Sequence, residues 1–354
     1  MNQHKRTPSL VCLTVLLFSM MSLLFPTMAQ AENMNFYVQP KMPKSQLEGT
    51  TNYYNLNLSP GSQEKLELTV TNATNSPIKL KLSAHTAYTN VNGVVEYGRD
   101  SEEADNTLQY ELSELLSVPE ESIELSGEES RDITVDLTMP EEAFSGLLAG
   151  GIRIEEDSEE EEEEEEGGFA VKNAFAFILG VVVSNERTDI AADLELTNVF
   201  ADQLNYRNVF SANLQNPTPG FINQLEVNAE IREKGDDRVI YEAETSGMQM
   251  APNSNFNYPI PLNGERFRNG TYVASIVATS GEDEWSWEYE FTVDQTTARS
   301  LNREDVTIED EINWWLIICF VLLLTIVVYL IIKRQKEKKA QGNAESRSEE
   351  GEEQ

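Results

Sequence analysis

Cysteine is nearly missing from this chain. Its 354 residues include two, Cys12 and Cys319, and both fall in apolar runs near the two ends. Residues 32–312 therefore have no disulfide to close them and must be held by packed cores, and at that length two domains with proper cores are within reach. Histidine is as scarce, with His4 and His85 alone. Ser-His-Asp or Cys-His catalysis would have to use His85 or do without it, and a zinc site of the usual His/Cys type has no ligands. His85, in Ser83-Ala84-His85-Thr86, is expected to be a half-buried histidine at the end of a strand. A Gly-rich phosphate loop with its lysine is absent as well. Carboxylates are too many for a glycosidase pair to be picked out. Basic residues are few, 26 Lys and Arg against 61 Asp and Glu. The first 31 residues carry +2 and the last 22 balance six bases with six acids, so residues 32–312 hold −37 of the total −35. Such a surface repels nucleic acid, acidic polymers and anionic lipid heads, and suits basic partners or divalent cations.

Two long apolar runs are present. Residues 313–332 (NWWLIICFVLLLTIVVYLII) carry no charge. As a helix they span about 30 Å, the thickness of a bilayer's hydrocarbon core. Trp314 and Trp315 stand at one end, and Lys333, Arg334, Lys336, Lys338 and Lys339 follow the other. The positive-inside rule makes the basic end cytoplasmic, with everything before it outside. At the N-terminus, His4, Lys5 and Arg6 precede an apolar run from Leu10 to Phe25 and the cleavage pattern Ala29-Gln30-Ala31, which reads as a signal peptide.

Between them, short period-two stretches follow one another, bounded by turns such as Ser59-Pro60-Gly61, Asn92-Gly93, Asn216-Pro217-Thr218-Pro219-Gly220 and Gly235-Asp236-Asp237. Such spacing predicts an all-β chain: two immunoglobulin-like β-sandwich domains in tandem, followed by one transmembrane α-helix. The only helix-like stretch before the membrane is short, Leu108–Leu116. Residues 155–166 hold eleven acids in twelve positions and are closed by Gly167-Gly168. Like charge at this density favours an extended spacer. The expected map is a signal peptide at 1–31, a sandwich at 32–154, an acidic linker or loop at 155–168, and a second sandwich at 169–294 opening on the apolar run 175–183. A polar stalk at 295–312, the membrane helix at 313–332 and a disordered cytoplasmic tail at 333–354 complete it.

No cofactor or metal is expected. Asn90, Asn92 and Gly93 resemble positions 3, 5 and 6 of a calcium loop, but Tyr88 and Arg99 would stand at positions 1 and 12, and a hairpin turn explains them better. The ligand-binding candidates are aromatic and loop residues. Tyr53, Tyr54 and Tyr88 could stack on sugar rings, though tyrosine also fills sheets. Asn253, Asn255 and Phe256 follow Pro252 in a loop before an expected edge strand. Trp285 begins an alternating row, Trp285, Trp287, Tyr289, Phe291 and Val293, that shares one strand face. The row reads first as core, and Trp285 as a ligand platform second.

An ordered set of short motifs carries a resemblance. In the first half these are Phe36-Tyr37-Val38-Gln39-Pro40, Pro43, Gln46, Tyr54-Asn55-Leu56, Pro60-Gly61, Asn72, Thr89-Asn90-Val91-Asn92-Gly93, Tyr97, Met139-Pro140 and Gly150-Gly151-Ile152. In the second they are Asn216-Pro217, Met250-Ala251-Pro252-Asn253-Ser254-Asn255-Phe256, Gly270 with Tyr272, and the strand 285–293. In this order the chain resembles the WxL-interacting proteins of Gram-positive bacteria. The resemblance implies a binding protein with no catalytic activity, anchored at the cell surface. Its first domain would bind peptidoglycan and its second host proteins, with WxL-domain surface proteins as partners. The acidic run is long for that family. The rival reading from another class is a cell-wall hydrolase or a regulator of one.

Overall fold

The computed structural model describes residues 34–101, 103–157, 175–187, 190–308 and 314–349. The expected signal peptide, most of the acidic run and the last five residues lie outside these.

Alternation of apolar and polar side chains builds the first sandwich. Its strands are β1 (Phe36–Lys41), β2 (Tyr54–Asn57), β3 (Gln63–Asn72), β4 (Ile78–Thr86), β5 (Tyr88–Thr89) and β6 (Val95–Glu96). The short helix α1 (Leu112–Leu115) follows, then β7 (Leu116–Ser117), β8 (Ser122–Leu125), β9 (Ser130–Thr138), β10 (Leu148–Glu156) and β11 (Ala176–Ser184). One sheet runs β1-β3-β9-β7 and the other β2-β11-β10-β4-β8, with β5 and β6 a separate hairpin. Leu66, Leu68 and Val70 of β3 and Ile133, Val135 and Leu137 of β9 point inward onto Leu80, Leu82, Ile152, Ile154, Leu179 and Val181 of the facing sheet. The stretch 36–43, expected as a lead-in, forms β1. Its Pro40 is tolerated because β1 is an edge, where a missing N–H costs no ladder bond.

The second sandwich has β12 (Glu195–Leu204), β13 (Arg207–Asn216), β14 (Ile222–Glu233), β15 (Val239–Met250), β16 (Ser254–Pro261), β17 (Gly270–Ser280) and β18 (Asp283–Val293). Its sheets run β12-β13-β16 and β15-β14-β17-β18. β16 is the expected edge strand, with Pro259 and Pro261 in it. Trp285, Trp287 and Tyr289 lie half-buried over the core, while Phe291 and Val293 are buried in it.

Three expectations change. The apolar run at 175–183 does not open the second sandwich. As β11 it pairs antiparallel with β10 and parallel with β2, inside the first. Glu155 and Glu156 of the acidic run end β10, the rest of the run lies in the connection from β10 to β11, and the chain crosses to the second sandwich only after Ser184. The cause is registry: Leu148 to Glu155 face Val183 to Ala176 residue for residue. Second, the expected stalk is not a stalk throughout. Residues Gln295–Glu304 form helix α2, capped by Asp294, whose carboxylate accepts from the amides of Thr296 and Thr297 at 2.7 and 3.0 Å. Ala298 is buried and Leu301 packs on the second core. Third, the expected disordered tail continues as helix: α3 runs Trp314–Glu349, in keeping with the high helix propensity of its Lys, Glu, Gln and Ala. Within α3, Ile317–Arg334 is long and apolar enough to cross a bilayer, with mean hydropathy 2.5.

Candidate functional site: the joint between the sandwiches

A three-residue device recurs four times: Asn72-Ala73-Thr74, Asp105-Asn106-Thr107, Asn216-Pro217-Thr218 and Asp305-Val306-Thr307. In each, one side-chain oxygen accepts from both the amide and the hydroxyl of the threonine two residues on. This closes a turn without help from the ladder. All four Asx residues are buried, so their remaining polar atoms need partners. Asn72 donates to the carbonyls of Ser76, Leu125 and Ser126. Asn216 donates to those of Gly220 and Ala251.

Asp105 instead looks across to the other sandwich. Its carboxylate accepts from Gln215 Nε2 at 3.0 Å and from Asn255 Nδ2 at 2.5 Å. Burial works to raise its pKa, and the hydrogen bonds from Thr107, Asn255 and Gln215 outweigh it and hold the carboxyl below its usual range. Around it the joint closes. Thr89 Oγ1 meets Ser254 Oγ at 2.6 Å and accepts from Ala251 N at 3.0 Å. Asn253 Nδ2 donates to Thr107 Oγ1 at 3.1 Å. Backbone bonds run from Gln249 N to Gly93 O and from Leu147 N to Pro219 O, both 2.8 Å. A small apolar patch of Ala87, Val95, Ala149, Val182 and Ala251, flanked by Tyr53, Tyr97, Leu147 and Phe221, fills the space. Burial, with Tyr53 nearby, pushes the Tyr97 hydroxyl up to about 12.

Two glycines permit this approach. Gly93 has φ +67°, and a Cβ there would lie 2.4 Å from Met248 Sδ; Gly146 has φ +74°, and a Cβ there would lie 2.3 Å from Pro219 O. The Asn92-Gly93 hairpin turn expected from sequence is thus a turn pressed against the other domain.

Beside the joint opens a cleft of about 190 Å³, rimmed by Tyr88, Asp100, Glu103, Glu111, Asn253 and Asn255. Three of the seven ligand candidates, Tyr88, Asn253 and Asn255, come together here. Tyr53 lies in the apolar patch of the joint. Tyr54 is wholly buried, its hydroxyl donating to Glu67 O, and burial raises its pKa well above the usual value. Phe256 is buried in the second core, 6.5 Å from the Tyr258 ring, rather than in a loop, because it is the third residue of β16 and alternation turns it inward. Trp285 stands half-buried on β18, away from the cleft. Sequence reasoning missed Thr89, Asp105, Thr107 and Gln215; the recurring Asx-x-Thr spacing was the available signal. Several motifs behind the family resemblance, Thr89–Gly93, Tyr97, Asn216-Pro217 and Met250–Asn255, converge on this joint.

His85 has a neighbourhood of its own. Nε2 lies 2.8 Å from Ser83 Oγ and Nδ1 lies 2.9 Å from Asp100 Oδ2, the spacing of a Ser-His-Asp relay. Around Ser83, β4 is paired with β10 on one side, while its pairing with β8 ends at Lys81. Asp100 also accepts from Thr86 N at 2.9 Å. The cluster ties the chain near Asp100 to β4. Among the described residues no group of three His, Cys, Asp or Glu is placed to hold a metal ion.

Residues 36–156 match the family model described as the WxL interacting protein peptidoglycan binding domain, and residues 166–303 the one described as its host binding domain. No curated protein matches the chain. Among solved structures it is similar to the CupB2 chaperone of Pseudomonas aeruginosa, at 11% identity over 67% of this chain and 97% of that one, TM-score 0.27. It is similar also to the E. coli chaperone DraB, at 14% identity over 72% and 97%, TM-score 0.26, and to a PapD-like domain of human CEP192, at 12% over 47% and 95%, TM-score 0.27. These are distant likenesses. The fold is a tandem of β-sandwiches followed by one long apolar helix, and both matched family models describe binding domains. The chain belongs to the WxL-interacting protein family, with the peptidoglycan-binding and host-binding domains in that order.

Proposed function

We propose that this chain is a single-pass, membrane-anchored binding protein of the cell surface. It attaches to peptidoglycan through the first sandwich and engages WxL-domain surface proteins or host extracellular proteins through the second. The observation that carries this is the order of the two matched domains ahead of a helix whose apolar window, Ile317–Arg334, suits a bilayer. The joint supports it: two binding units hydrogen-bonded together hold a wall ligand and a protein ligand at a fixed spacing. The acidic cleft with Tyr88, Asn253 and Asn255, and Trp285 on its edge strand, are the proposed contact residues. Cofactors and catalysis play no part in this reading. Incubation of the full chain with purified cell wall tests it: the protein should sediment with the wall and release no sugar. Release of soluble muropeptides would overturn it in favour of a hydrolase built on Ser83, His85 and Asp100. Capture of a WxL-domain protein from a surface extract, at stoichiometric yield, would identify the partner class.

A further inference from the structure

Most edge strands in this molecule are defended against further pairing. β1 carries Pro40, and β16 carries Pro259 and Pro261. β15 shifts register against β14 at three places, and β12 shifts against β13 at one. β2, β7 and β8 are four residues or shorter. Proline, bulges and brevity all keep a free row of N–H and C=O groups from recruiting another chain. β18 has none of these. It is an edge of the sheet β15-β14-β17-β18, eleven residues long and without proline or lysine. It pairs with β17 from Asp283 to Val293 with no shift. Among the described residues no strand pairs with its other side.

The free groups of β18 can be placed. Gly281-Glu282 is a two-residue hairpin turn closed by Ser280 and Asp283. Asp283 and every second residue after it therefore exchange bonds with β17. The N–H and C=O groups of Glu284, Ser286, Glu288, Glu290 and Thr292 point away from the sheet. The two faces along this edge differ. On the core side Trp285, Trp287 and Tyr289 are only half-buried. On the outer side stand Glu284, Ser286, Glu288 and Glu290. Glu288 and Glu290 hold Arg232 and Lys234, yet stay 65% and 53% exposed, and such surface pairs are weak. Glu284 makes no ion pair with a described residue, and its row across the sheet reads Glu226, Thr279, Glu284. Further in, Glu230 stands opposite Glu242, and Asn228 opposite Glu244. Arg232 is the one base in the four strands. Lys234 and Arg238 lie in the β14–β15 turn, Arg238 beside Asp236 and Asp237.

This pattern selects the occupant. Antiparallel pairing with a second copy, centred on the strand, would set Glu288 against Glu288 or Glu284 against Glu290. Like charges directly opposite are destabilising. The same carboxylates suit a strand whose outward residues are basic, and its inward residues would lie beside Trp285, Trp287 and Tyr289. We propose that β18 accepts a strand from a partner protein, alternating basic and apolar residues, as a fifth strand of this sheet. The inference rests on the reading above that the second sandwich engages a protein. One row of glutamates would then both refuse the chain's own copies and admit the partner.

The test uses the full chain in phosphatidylcholine nanodiscs and a synthetic peptide of about ten residues alternating lysine and valine. A peptide of the same composition, all lysines before all valines, is the control. Residue-resolved hydrogen exchange should show the amides of Ser286, Glu288 and Glu290 slowed roughly tenfold by the alternating peptide. The amides of Trp285, Trp287 and Tyr289 should change little, because they already bond to β17. High salt should weaken the effect. Ser286→Pro removes one outward N–H and no bond to β17, so it should abolish the protection at an unchanged melting temperature. Glu284→Lys with Ser286→Lys keeps the backbone free; it should weaken the lysine–valine peptide and favour a glutamate–valine one. Equal protection by the control peptide would reduce the effect to charge attraction and overturn the strand. Slowing of 286–290 without peptide, in discs holding two chains, would replace the partner by a second copy. Capture from a surface extract separates this inference from the reading beneath it. A partner held by the wild type and lost by Ser286→Pro supports the docking. One held equally by both overturns the docking and leaves the binding reading standing. A wild-type chain that holds no WxL-domain or host protein overturns both.

Discussion

The two sandwiches solve the same problem with different materials. The first packs an almost aliphatic core, in which Leu, Ile and Val from both sheets surround Phe36, Tyr54 and Phe144. The second is built around one ring. Phe210 lies 5.2–5.8 Å from Tyr241, Phe267, Tyr272 and Phe291, tilted or edge-on to each. Their wiring differs too. The pairs β12–β13, β14–β15 and β17–β18 are sequential hairpins. The first sandwich is closed by β2 and β11, a parallel pair joining Tyr54 to Val181. Close pairings are cheap in chain entropy and distant ones are not. The second domain can therefore close most of its hairpins locally around its aromatic hub, while the first is complete only once β11 has returned to β2.

Removing the hub should break the comparison most severely. Phe210→Ala should cost about 3–5 kcal/mol through the cavity it leaves. Hydrogen exchange would accelerate throughout β12–β18 and leave β3, β9 and β10 protected. Loss of protection in both sandwiches together would mean that they unfold as one unit.

The paired turn devices allow a finer cut. Asn72→Ala and Asn216→Ala each strand buried carbonyls and a threonine amide, at about 1–3 kcal/mol apiece. Only Asn216 holds a carbonyl of the joint, Ala251. Its substitution should therefore speed exchange at 89–95 as well as in its own domain, and Asn72→Ala should leave that segment unchanged.

The smallest effect is in the joint's pH dependence. The folded pKa of Asp105 is depressed, so the stability it contributes is fully present above the unfolded carboxylate value of about 3.9. That contribution is lost as pH falls through the lower, folded value. Protection of 249–255 should hold from neutral pH down to about 4 and fade below it. In Asp105→Ala the fade should vanish because the protection is already reduced. An unchanged pH profile in that variant would assign the dependence to other carboxylates.

The sequence made some of this legible and hid the rest for identifiable reasons. Strict alternation exposed β3, β9 and β18, and glycine turns exposed the hairpins at Gly93 and Gly235, because those signals are local. The run at 175–183 was readable as a strand flanked on both sides. Which sheet it joins depends on registry with 148–155 across the acidic run and on pairing with 54–57, far off in sequence, and its apolar pattern would suit either sandwich. Helix α2 offers the core only Ala298 and Leu301, too few to betray an amphipathic face. Phe256 looked like a loop residue until β16 proved to start at Ser254, where one residue of offset turns a contact into core. The site was hidden because Asp105 and Asn255 meet only through folding.

Because β10 and β11 pair in one sheet, the acidic run that connects them lies within one domain's covalent path rather than between two. A protease that cuts there would not release two domains. It would produce a short-looking chain on a denaturing gel and an intact particle in solution, β11 still clamped between β2 and β10 and carrying the second sandwich with it. The same arrangement makes the run a natural insertion point. Loop closure costs only about 0.6 kcal/mol for each doubling of length, so a reporter domain spliced between Asp157 and Asn173 would be displayed without parting the two sandwiches, and the halves on either side of it could serve as a split pair that reassembles on mixing.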